Sequence, residues 1–124
     1  MAQMANEVGQ TIKTVVIPQK SWANGVTDAL SEIVKVNGRC TQIEFKASNA
    51  TNGITFTLTA ESVLAGTLYT LAAIPENATT VLKLAVATTD IGQWSANGDV
   101  TFTITPSGDP GASGVNVDVH LQFE

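Results

Sequence analysis

The chain has 124 residues, of which 44% are hydrophobic and only 14% charged, with a formal net charge of −5. A chain of that length suits one domain and buries about two thirds of its unfolded surface without help from a metal or a disulfide. Its six basic residues, Lys13, Lys20, Lys35, Arg39, Lys46 and Lys83, are scattered, which excludes the clustered cations that a nucleic-acid groove needs.

Residues 1–10 are polar and read as a flexible N-terminal arm rather than a signal peptide. The remainder, 11–124, reads as one domain. Residues 11–17 form the first expected strand, stopped by Pro18. A loop carrying Trp22 follows. Residues 26–36 satisfy both helical and alternating spacing, and the β-branched ending decides for a strand. Asn37-Gly38 then reads as a two-residue hairpin turn into a partner strand at 39–47, with Cys40 near its start. Residues 48–53 read as a turn. Ile54-Thr55-Phe56-Thr57-Leu58-Thr59 is the clearest strand, with apolar and hydroxyl side chains on opposite faces.

Residues 60–66 read as a loop or one helical turn, and 67–73 as a strand containing Tyr69. Pro75-Glu76-Asn77 turns the chain into an apolar strand at 79–87. Residues 88–99 read as irregular, with Trp94 in a loop and Asn97-Gly98-Asp99 as a turn. Residues 100–105 repeat the pattern of 54–59. Residues 106–114, rich in Pro, Gly and Ser, read as a mobile connection to a last strand at 115–123, which carries His120 on its polar side. About eight strands with turns between them predict an all-β, antiparallel β-sandwich, jelly-roll-like in form. Val15, Ile17, Ile43, Phe45, Ile54, Phe56, Leu58, Leu82, Leu84, Phe102, Ile104, Val117, Val119 and Leu121 are its expected core.

The chemistry-bearing residues are few. His120 is the sole histidine, so a hydrolase triad or a zinc site lacks its parts. Asp90, Asp99 and Asp109 fall in expected loops, but the dense Asp/Asn spacing of a calcium loop is absent. Neither an enzyme nor a cofactor or metal site is expected. The single cysteine, Cys40, excludes an intramolecular disulfide and reads as a small buried apolar residue. No run reaches the 18 or so apolar residues of a membrane helix. Low charge and 17 threonines leave two readings of the surface. Either other subunits cover it, or uncharged polar residues supply the wet face. Trp22, Trp94, Tyr69 and His120 are the candidate interface residues. Trp22 and Trp94 also fit a carbohydrate-binding module, or else cap the open ends of the core.

The stretch 85–104, Ala-Val-Ala-Thr-Thr-Asp-Ile-Gly-Gln-Trp-Ser-Ala-Asn-Gly-Asp-Val-Thr-Phe-Thr-Ile, resembles the Ala-rich segment, turn and alternating strand of small tailed-bacteriophage virion proteins. These are of the capsid decoration or cement type. The resemblance covers about half the chain and implies a structural protein on the capsid surface, made in the host cytoplasm. It also implies the major capsid protein as partner, a homo-oligomer, most often a trimer, and no catalytic residues. A tail or fibre component is the less supported variant.

Overall fold

The computed structural model describes residues 13–84 and 92–124. The described residues form seven antiparallel strands: β1 (Lys13–Trp22), β2 (Leu30–Ala47), β3 (Thr55–Ser62), β4 (Gly66–Pro75), β5 (Ala78–Lys83), β6 (Trp94–Pro106) and β7 (Val115–Phe123). No helix among them is long and apolar enough to cross a membrane.

Strand β2 organises the fold. Residues 30–40 pair with β6, from Leu30 opposite Ile104 to Cys40 opposite Trp94. Residues 42–47 have β7 on one edge and β5 on the other, so Glu44 faces both His120 and Val81. Beyond these neighbours, β7 pairs with β1, while β6 pairs with β3 and β3 with β4. One hydrogen-bonded sheet therefore folds over on itself through β2. Its two layers are β1-β7-β2-β5 and β2-β6-β3-β4, an antiparallel, jelly-roll-like β-sandwich.

Aromatic side chains join the layers. Phe56 on β3 lies 5.7 Å, ring centre to ring centre, from both Trp22 on β1 and Phe45 on β2. Trp94 on β6 meets the edge of Phe123 on β7 at 5.4 Å and also packs on Tyr69 and Phe102. Such tilted and edge-on pairs add to the area they bury. Of the fourteen expected core residues, Val15 and Leu82 are half-buried and the other twelve are buried.

Several local expectations give way to tertiary structure. Asn37-Gly38 is not a hairpin turn, because β2 runs straight through it. Asn97-Gly98-Asp99 is not a turn either, and Trp94 is not in a loop, because β6 starts at Trp94. The two Asn-Gly pairs lie in adjacent strands, with Asn37 opposite Asn97. Gly38 keeps the positive φ that the dipeptide favours, at 135°, but uses it where the strand passes the chain end. A Cβ there would sit 2.6 Å from the Glu124 carbonyl oxygen. Pro18 does not stop β1. It sits in the register shift between Ile17 and Lys20 on an edge strand, where its missing N–H costs no ladder bond. Among the described residues, the expected strands at 26–36 and 39–47 are fused into β2, which leaves seven strands there. The expected arm at 1–10 and residues 85–91 lie outside the described residues.

The connection at 106–114 is fixed rather than mobile. Asp109 Oδ1 accepts the N–H groups of Gly25 and Gly111, each at 2.8 Å. Asn52 donates its backbone N–H to the Pro110 carbonyl and its side-chain amide to the Asp109 carbonyl. Thr51 Oγ1 and Ser113 Oγ are 2.9 Å apart, and Ser107 pairs twice with Thr55. Three connections, 23–29, 48–54 and 106–114, are laced together at one end of the sandwich.

Candidate interaction surfaces

Three of the four candidate interface residues are core residues. Trp22 is 1% exposed, Tyr69 2% and Trp94 7%. Alternation explains it: each sits on the inward side of its strand, Trp22 closing β1 and Trp94 opening β6. The Trp22 indole N–H donates to the Asp28 carbonyl at 2.7 Å, so its one polar atom is satisfied inside. Their rings cap the ends of the core and are not displayed to a sugar or a partner. Next to Trp94, burial pushes the Cys40 thiol up to about 12, which makes it a packed apolar group and not a nucleophile. Burial also raises the Tyr69 phenol, with a smaller push from Cys40.

His120 alone of the four is exposed, on the outer face of the β1-β7-β2-β5 layer. Its Nδ1 is 3.8 Å from Glu44 Oε1, an ion pair when the ring is protonated. Asp118, two residues earlier, accepts the Gln19 amide at 3.1 Å. Glu44, Lys46, Thr79, Asp118 and His120 line a depression of about 280 Å³. Among the described residues no three His, Cys, Asp or Glu side chains converge as metal ligands. Asp109 serves the fold, as a cap for two backbone N–H groups that hold its carboxyl below the usual range. Asp90 lies outside the described residues.

The outer face of the β2-β6-β3-β4 layer is different in kind. Register places Ser31, Thr103, Thr59 and Thr70 side by side across all four strands. Thr105 and Thr57 form a flanking pair, and Ile33, Thr101, Glu61 and Thr67 the row on the other side. The Ser31 and Thr103 hydroxyls bond to each other at 2.9 Å. Charge is confined to one border, where Lys35 pairs with Asp99 at 3.2 Å and Glu61 accepts the Thr67 hydroxyl. Ile33 stands 66% exposed in this field. The alternation of 54–59 and 100–105 made the threonines visible; the four-strand row needed the register.

One apolar feature escaped sequence reasoning. The β3–β4 turn exposes Val63 by 89% and Leu64 completely. Its backbone is fixed by the Ala65 N–H donating to Ser62 Oγ at 2.9 Å and by Gly66 at φ 75°. The available signal was an apolar pair between turn residues, outside any alternation.

No family model matches the chain, and no curated protein matches it. Among solved structures, a crystal structure of the T13 infectious bursal disease virus particle superposes with a TM-score of 0.46 at 15% identity. That match covers 91% of this chain and 31% of the other. A structure of the Gx strain of the same virus gives a TM-score of 0.42 at 10% identity, over 92% of this chain and 32% of the other. The chain thus spans about a third of the length of the chains it matches. Superpositions this loose assign no function.

Proposed function

We propose that the chain is a structural component of a virus particle, a capsid decoration or cement protein that bridges neighbouring capsid subunits. The observation that carries this reading is the hydroxyl face of the β2-β6-β3-β4 layer. The centres of protein interfaces are depleted in charge. A field of Ser and Thr with charge at one border can lose its water at less cost than a charged face, and its hydroxyls still find partners. The sequence resemblance in 85–104 adds support, because its strand portion supplies Thr101 and Thr103 to this face. In this reading the partner is the major capsid protein, the chain sits on the virion surface, and it works as a homo-oligomer.

The sugar-binding alternative needed Trp22 or Trp94 at the surface, and both are buried. The test is the particle itself. Purified particles from the source should carry the chain at a fixed ratio to the shell protein. A Ser31→Glu, Thr59→Glu variant, folded by circular dichroism, should fail to rebind stripped shells. Particles without the chain, or rebinding unaffected by these charges, would end the proposal.

A further inference from the structure

We infer that the apolar β3–β4 tip of one copy seats in an apolar groove of a second copy of this chain. The groove has a volume of about 350 Å³ and lies between the start of β1 and the middle of β2. Val15, Val36 and Phe123 form its apolar wall, with Lys13 and Lys35 among its lining residues. A pocket of that size takes a few apolar side chains.

Three observations point to a second copy as the occupant. Leu64 and Val63 are 100% and 89% exposed, yet the turn that carries them is already ordered by the Ala65–Ser62 bond, so little freedom is lost on docking. The charges are complementary. Glu61, exposed two residues before Val63, accompanies the tip, whereas Lys13 lines the groove and Lys35 beside it is already paired with Asp99. The two features also share one end of the molecule. Asn97 and Gly98 line both the groove and the cleft beneath the tip. A twofold axis through that end lets each copy give a tip and receive one, the self-complementary arrangement of a closed dimer. This contact needs no capsid, so it stands or falls separately from the cement reading.

Sedimentation velocity of the full chain, up to about 100 μM, tests it. The wild-type chain should sediment as a reversible dimer. Leu64→Asp should weaken association at least about tenfold, with the fold intact by circular dichroism. Lys13→Glu and Glu61→Lys should each weaken it, and together restore it. A monomeric wild-type chain overturns the inference. So does association that Lys13→Glu abolishes but Leu64→Asp leaves untouched, since the groove would then hold something else. A charge swap without rescue also overturns it.

Discussion

Residues 106–114 and residues 62–66 are both connections between strands, and their fates are opposite. The first is all Gly, Pro, Ser, Asp and Ala, the composition of a free loop. In the fold its polar atoms are engaged with backbone and side-chain groups of 23–29 and 48–54, and Pro110 and Gly111 are buried. The second carries Val63 and Leu64, the composition of a core segment, and holds them in water. Composition reports what a segment is able to bond to, and the topology decides whether partners are brought within reach. Three connections meet at one end of the sandwich, so polar side chains there find orphan backbone groups. At the β3–β4 tip, among the described residues, the side-chain bond that orders the turn is its own, Ala65 N–H to Ser62 Oγ.

The sharpest way to break this contrast is Gly111→Val. Gly111 has φ 90°, and an added Cβ would lie 2.8 Å from the Thr51 Cβ. Strain and overpacking together should lower stability by about 2–4 kcal/mol, read as a drop in urea midpoint. A change under about 0.5 kcal/mol would mean that the connection yields and is not fixed. The next effect is pH-dependent. The N–H groups of Gly111 and then Gly25 hold the Asp109 carboxyl below its ordinary value. A depressed folded value means stability present above the unfolded pKa of about 4 and lost as pH falls through the folded one. Asp109→Asn should therefore lower the urea midpoint at neutral pH, and the gap to wild type should shrink as the pH falls below about 4. A gap independent of pH would leave the carboxylate's charge without a role.

Where the chain was legible, one physical signal sufficed. Phe56 and Leu58, Phe102 and Ile104, and Val117, Val119 and Leu121 all turn inward as period-two alternation requires. The strand interiors at Asn37-Gly38 and Asn97-Gly98 were not legible. The dipeptide does report positive φ at its glycine, 135° and 128° here, but nothing local says whether that freedom ends a strand or bends it. The answer depends on β6 and the chain end lying beside β2, more than fifty residues away in sequence. The surfaces were half legible. Threonine alternation foretold a hydroxyl face, but only strand order brings Ser31, Thr103, Thr59 and Thr70 into one row. Trp22 and Trp94 misled because each begins or ends a strand, where alternation has too few residues to reveal its phase.

The smallest expected effect tests the other half of the contrast. Leu64→Ser changes a side chain that is fully exposed in its own copy, so stability should move by no more than about 0.5 kcal/mol. Cys40 offers a direct readout. It is fully buried, and burial pushes its thiol to about 12, so a thiol reagent at neutral pH reacts only when the chain opens. Because the folded value lies above that of the unfolded chain, the unfolded state ionises first, and stability should fall as the pH rises past about 9. Labelling is therefore best compared near pH 7. At a protein concentration too low for association, Gly111→Val should speed labelling many-fold and Leu64→Ser should leave it at the wild-type rate. If Leu64→Ser sped labelling as much, the tip would be coupled to the core, and the exposed leucine would have to be explained by the fold and not by a partner.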